Sequence, residues 1–140
     1  MKIAIGADHG GYEYKQEIIK HLTNFEIKDF GTFSNDSCDY PEFAKQVAKE
    51  VAAGNYDRGI LICGTGIGMS ICANKFKGIR AALCSDTFSA KATREHNDSN
   101  ILCMGARVID LPLALEITDI WLNTPFSDEE RHKRRIGMIE

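Results

Sequence analysis

The densest chemistry in this 140-residue chain lies in one cysteine and the glycine-rich turn behind it, Cys63-Gly64-Thr65-Gly66-Ile67-Gly68-Met69-Ser70. Glycines let a backbone approach a ligand closely, and the unpaired amides of a helix that starts there favour an anion such as a phosphate or an enediolate oxygen. A thiol just ahead of that helix feels the positive end of its dipole, so Cys63 can serve as a thiolate base. The same letters also suit a turn that serves only close packing around a buried cysteine. Two other phosphate cradles fit poorly: the dinucleotide fingerprint is G-x-G-x-x-G after a first strand, whereas this loop is G-x-G-x-G after a third, and the Walker lysine is missing.

Four other stretches carry candidate groups. Gly6-Ala7-Asp8-His9-Gly10-Gly11 places an acid, an imidazole and permissive glycines at the end of an apolar run, although Asp8 could equally cap the next helix. Ser85-Asp86-Thr87 opens a helix that ends in Arg94-Glu95-His96-Asn97-Asp98-Ser99-Asn100, where His96 is either a simple cap or a proton donor. Arg107 follows a fifth apolar run in Gly105-Ala106-Arg107-Val108. Arg131 and Arg135 are four residues apart and share a helix face, with His132, Lys133 and Arg134 between them. Such an arginine pair can grip one phosphate, or it can be a solvated basic face balancing Asp128, Glu129 and Glu130.

The elements that must hold these groups alternate along the chain. Short β-branched runs at 3–7, 27–30, 59–63, 79–84 and 101–104 precede amphipathic stretches at 12–22, 43–53, 69–76, 89–95 and 113–122. This is β-α repeated, which predicts a single-domain, doubly wound α/β sandwich with a five-stranded parallel sheet. Gly59-Ile60-Leu61-Ile62-Cys63 is apolar on both faces, as a central parallel strand is. A sixth helix is expected over about 127–138, with Ser127 as N-cap and Glu130 at the capping-box position. In open α/β sheets the ligand crevice lies beyond the carboxyl ends of the strands, so the loops there should carry the chemistry.

Composition narrows the classes. A formal net charge of -3 gives no general attraction to nucleic acid or to anionic membranes. No apolar run approaches a membrane span, and the start Met1-Lys2-Ile3-Ala4-Ile5-Gly6 is short and glycine-interrupted for a secretion signal, so the expected compartment is the cytoplasm. Five cysteines at 38, 63, 72, 84 and 103 form no Cys-x-x-Cys pair, which argues against a disulfide framework or structural zinc.

Taken together, Gly6 to Gly11, Asp39-Tyr40-Pro41, Cys63 to Gly68, Ala73-Asn74-Lys75, His96-Asn97-Asp98, Gly105-Ala106-Arg107 and Arg131-His132 resemble the ribose-5-phosphate isomerase B family, which also includes galactose-6-phosphate isomerase subunits. The resemblance runs in order from the first strand to the last helix. It implies interconversion of ribose 5-phosphate and ribulose 5-phosphate through an enediolate, without metal or other cofactor. It further implies a homodimer, or a dimer of dimers, whose sites are shared between subunits.

By the same resemblance Cys63 is the base moving the proton between C1 and C2, and His96 opens the furanose ring. Asp8, His9, Gly64, Thr65, Gly66, Ile67, Gly68 and Asn97 bind substrate, and Arg107, Arg131 and Arg135 hold the phosphate. The loop amides and the Thr65 hydroxyl would meet the developing oxyanion. Some relatives use a glutamate farther along the loop's helix. Here the corresponding Cys72 has no carboxylate, which favours the thiolate version. Two rival expectations stand beside this one: an isomerase of allose 6-phosphate, galactose 6-phosphate or a tetrose phosphate, and a non-catalytic phosphate- or nucleotide-binding module.

Overall fold

The computed structural model describes residues 1–139. Five strands, β1 (Lys2–Ala7), β2 (Glu26–Asp29), β3 (Arg58–Cys63), β4 (Ala81–Leu83) and β5 (Ile101–Gly105), form one sheet in the order β2-β1-β3-β5-β4. Every pairing is parallel, with Ile5 beside Ile60 and Ile60 beside Leu102. The helices between them are α1 (Tyr12–His21), α2 (Tyr40–Ala52), α3 (Ile67–Ala73), α4 (Thr87–Asn97) and α5 (Leu111–Asn123), and α6 (Glu130–Ile139) closes the chain.

Alternation along the central strands splits the core in two. Ile3 and Ile5 of β1, Ile60 and Ile62 of β3, and Leu102 and Met104 of β5 pack with Ile18, Ala90, Ile117 and Trp121 from α1, α4 and α5. Ala4, Leu61, Cys63, Ile101 and Cys103 face the other way, onto Phe43, Val47 and Val51 of α2 and Met69 and Ala73 of α3. A strand buried on both faces needs apolar residues at every position, which is why 60–63 reads as an unbroken run. Because β2 lies on one side of β1 and β3 on the other, the chain changes direction between β1 and β3, where an open α/β sheet leaves a crevice at its carboxyl edge.

The expected architecture is the observed one, but several boundaries move, α2 among them, which starts at Tyr40 and not Phe43. β4 spans only Ala81–Leu83, since it pairs on one side alone and Gly78, at φ 86°, turns the chain just before it. α3 starts two residues before the expected Met69, directly after Gly66. α6 starts at Glu130, not near Ser127, because Asp128 sits at φ 58° and breaks the helical run. The expected capping box is therefore not formed, and the Ser127 hydroxyl bonds the His132 ring at 2.8 Å.

One buried charge anchors the crevice from behind. Lys15 of α1 is fully buried, its Nζ 2.7 Å from Asp29 Oδ2 and 2.8 Å from Gln16 Oε1, with the Tyr12 and Phe33 rings 5.2 and 5.5 Å away. Asp29 Oδ1 accepts the Gly31 amide at 2.9 Å, and Gly31 and Thr32 exchange hydrogen bonds with Ala7, the residue before Asp8. Removing one charge of a buried pair leaves the other uncompensated, so Asp29→Asn should cost about 2–3 kcal/mol of stability in urea denaturation. Lys15→Met should cost less, and an unchanged midpoint for Asp29→Asn would show that the ring faces alone hold the ammonium.

Candidate active site

Two of the chemistry-bearing loops meet where the sheet changes direction. Asp8 leaves the end of β1 with its backbone amide on Ile62 O of β3 at 3.2 Å. Its Oδ1 accepts the amides of Gly10 and Gly11 at 2.9 and 3.2 Å, so the carboxylate braces the turn into α1, while Oδ2 has no partner among the described residues. His9 beside it accepts the Cys38 amide on Nδ1 at 3.2 Å. A backbone amide can only donate, so a neutral His9 carries its proton on Nε2.

Cys63 ends β3 and is 5% exposed. Its Sγ accepts the Gly66 amide at 3.0 Å, folding the turn back over the sulfur. That turn requires glycine at 66, where φ is 78° and a Cβ would lie 2.6 Å from Leu83 Cδ1 and 2.8 Å from the Met104 carbonyl carbon. Gly105 permits the other close approach, since a Cβ there would lie 2.5 Å from the Thr65 carbonyl. Thr65 is exposed, and its Oγ1 accepts the Ile67 amide at 3.3 Å. Two of the amides expected to meet an oxyanion, those of Gly66 and Ile67, are thus already bonded within the loop.

Cys63, Gly64, Thr65, Ile67 and Gly68 line one open cleft of about 420 Å³ with Asp8, Arg107, Tyr40 and Ile71. Arg107 is exposed, lies across Gly64 and makes no ion pair among the described residues. An unpaired guanidinium, a carboxylate and a thiol around one small opening suit an anionic, hydroxyl-bearing ligand. Tyr40 is the wall that sequence reasoning missed. Its ring packs so closely on Gly68 that no Cβ fits there, and the Asp39-Tyr40-Pro41 helix start was the only trace of it in the letters.

The other expected residues lie elsewhere. Arg80, just before β4, donates to Asn97 O at 2.9 Å, and Asn100 O accepts the amide of Gly59 at the start of β3. The exit of α4 is therefore at the amino end of the sheet, and the stretch of β3 from Gly59 to Cys63 alone spans about 13 Å. This corrects the expectation that all the chemistry sits beyond the carboxyl ends. His96 and Asn97 are exposed at that opposite end, and α6, with exposed Arg131 and Arg135, packs against α4 there. His96 and His132 stack with ring centroids 4.6 Å apart. Arg131 Nε is 2.9 Å from Glu129 Oε2.

No three His, Cys, Asp or Glu side chains cluster as a metal site among the described residues. No described helix is long and apolar enough to cross a membrane.

A doubly wound parallel sheet with a cysteine-bearing glycine loop and a free arginine at its switch point defines a Rossmann-like α/β protein whose cleft suits a small anionic ligand. The chain belongs to the Ribose/Galactose Isomerase family, whose model matches residues 3–139. It is 51% identical over 140 residues to the Escherichia coli protein named ribose-5-phosphate isomerase B, covering 99% of this chain and 93% of that one. It is 38% identical over 144 residues to a Mycolicibacterium smegmatis protein named D-erythrulose-4-phosphate isomerase 2, covering 99% and 95%. A solved structure of Clostridium thermocellum ribose-5-phosphate isomerase B superposes with a TM-score of 0.97 at 54% identity, covering 99% of this chain and 95% of that one.

The cysteines differ in environment. Burial pushes the Cys84 thiol up to about 11, helped by the charge of Asp86, and pushes Cys103 well above the ordinary thiol range. Both stay protonated at neutral and mildly alkaline pH. Iodoacetamide at pH 8 should therefore leave Cys84 and Cys103 unmodified in the folded protein while Cys38 and Cys72, partly exposed, are alkylated. Peptide mass spectrometry reads the pattern, and labelling of Cys84 before unfolding would contradict it.

Proposed function

We propose that this protein interconverts D-ribose 5-phosphate and D-ribulose 5-phosphate, in the cytoplasm and as a homodimer, with Cys63 as the proton-transferring base. The observation that carries the reading is the grouping of Cys63, Asp8 and unpaired Arg107 around one cleft at the sheet's switch point. The names borne by the Escherichia coli and Clostridium thermocellum relatives support the substrate.

In this reading the thiolate of Cys63 takes the proton from C2 of the open-chain aldose. The electrons move into an enediolate, a proton passes from O2 to O1, and the same thiol returns the carbon-bound proton to C1. The Thr65 hydroxyl and the amides of Gly64 and Gly68, rather than the bonded ones of Gly66 and Ile67, face the developing oxyanion, a contribution of about 10²-fold in rate per good donor. Gly66 serves indirectly, since its amide holds Sγ and leaves the sulfur aimed by the fold. Asp8 and His9, the latter through Nε2–H, bind sugar hydroxyls or phosphate oxygens. Arg107 holds the phosphate.

His96, Asn97, Arg131 and Arg135 cannot reach this cleft from their own chain, so a second copy supplies them. His96 gives a proton to the furanose ring oxygen while the C1 hydroxyl loses one, which opens the ring. Asn97 orients the sugar, and the arginines of the C-terminal helix close on the phosphate. A face suited to that copy borders the cleft: Ile67, Ile71, Leu83 and Phe88 are 50, 58, 43 and 80% exposed, and Leu83 lies against Gly66 of the catalytic loop. Contiguous exposed apolar side chains of this kind mark an association surface.

Cys63→Ala should lower kcat by about 10³-fold while leaving the calorimetric affinity for ribose 5-phosphate within about twofold. Near-normal turnover would refute the base assignment. Arg135→Ala should raise KM about tenfold and weaken inhibition by inorganic phosphate alike; normal phosphate affinity would leave α6 a solvated face. Activity should survive a chelator. Mixing equal amounts of unfolded Cys63→Ala and His96→Ala chains and refolding them together should restore about a quarter of wild-type activity, because half the dimers then hold one intact shared site. No recovery would place both residues in one chain's site.

A further inference from the structure

We propose that His132 is a positioning residue that holds the exposed His96 imidazole in one orientation, with Ser127 as its tether. The inference rests on the reading of His96 as the ring-opening acid and identifies what aims it. His132 is 5% exposed although it sits in the first turn of a helix whose other residues are mostly open to solvent. Burying an imidazole carries a desolvation cost that leucine at the same place would not incur, so packing alone does not account for it.

The contacts form a closed circuit. The His132 ring lies against the His96 ring at 4.6 Å with a 38° tilt. Its Nδ1 bonds Ser127 Oγ at 2.8 Å, and Ser127 donates its backbone amide to Glu95 O, the residue before His96, at 3.3 Å. Ser127 Oγ also accepts the Glu129 amide at 3.3 Å, while the His132 amide bonds Glu129 O at 3.0 Å. The left-handed Asp128 is what turns the chain so that one serine reaches both the α4 exit and the α6 ring.

The base of the circuit is rigid as well. Arg94, one turn of α4 ahead of Asp98, is 4% exposed and donates to Thr124 O at 3.1 Å, Asp98 Oδ1 at 2.8 Å and Ser99 O at 2.6 Å. A histidine in the last turn of an exposed helix would otherwise sample several rotamers, and a proton donor must be held within a few tenths of an ångström of its acceptor. The stacked ring below and the tether beside it remove that freedom without touching substrate.

A double-mutant cycle on kcat/KM for ribose 5-phosphate tests this, using wild type, His132→Ala, His96→Ala and the double variant. If His132 works only through His96, His132→Ala lowers kcat about tenfold with KM moved less than about twofold, and the same substitution in the His96→Ala background changes kcat/KM by less than about twofold. Ser127→Ala cuts the tether without opening a cavity. It should lower kcat about threefold and likewise lose its effect once His96 is gone, which decides the matter even where His132→Ala fails to fold. Additive losses, or wild-type kcat in both His132→Ala and Ser127→Ala, would overturn the positioning role while leaving His96 as the acid. Wild-type turnover in His96→Ala alone would instead remove the acid and the positioning role together.

Discussion

Everything at the cleft depends on two strands that leave the sheet bonded to each other. Beyond the last rung of β3 and β5, Ala106 donates to Cys63 O and Arg107 to Gly64 O, both at 2.9 Å, so the ladder continues into the loops. The thiol and the guanidinium are therefore carried on one extended piece of backbone, not on two independent turns. Gly105 lets that backbone come against Thr65, and Gly66 lets the turn fold back until its amide meets the sulfur. Rigidity of this sort is what proton transfer to and from carbon requires, because geometry rather than affinity limits the rate.

The same topology imposes a cost. Each crossover between parallel strands returns its helix to the amino edge of the sheet, so a residue at a helix exit and one at a strand exit are held at opposite ends of the domain. His96, Asn97 and the arginines of α6 are confined to one end, and Cys63, Asp8 and Arg107 to the other. No loop movement of modest size joins them within one chain. A reaction that uses both groups has to be carried out between molecules, and its activity is then inseparable from association.

Much of this was legible in the letters, for reasons that differ by residue. The doubly apolar run Ile60–Cys63 and the turn Gly64–Gly68 announce a central strand and a backbone that must approach something. Arg107 could be read because it follows the next central strand directly. The end of the sheet on which His96 lies follows from the parallel β-α repeat alone, because a helix between parallel strands exits at the amino edge, whereas the strand order β2-β1-β3-β5-β4 leaves no local signature. Lys15 was missed because Tyr12-Glu13-Tyr14-Lys15 reads as a solvated first turn, whereas Asp29 and two rings draw the ammonium inside. The start of α6 was misjudged because a serine followed three residues later by a glutamate looks like a capping box until Asp128 adopts a left-handed conformation.

The brevity of β4 has its own outcome. On its outer edge the Asn74 side chain already takes the amide and carbonyl of Ala81, at 2.8 and 3.0 Å, which leaves too little free backbone to recruit a foreign segment into the ladder. Molecules that meet along this flank must recognise one another by the shapes of side chains, which admit one seating. A longer rim would permit slipped registers and open-ended growth.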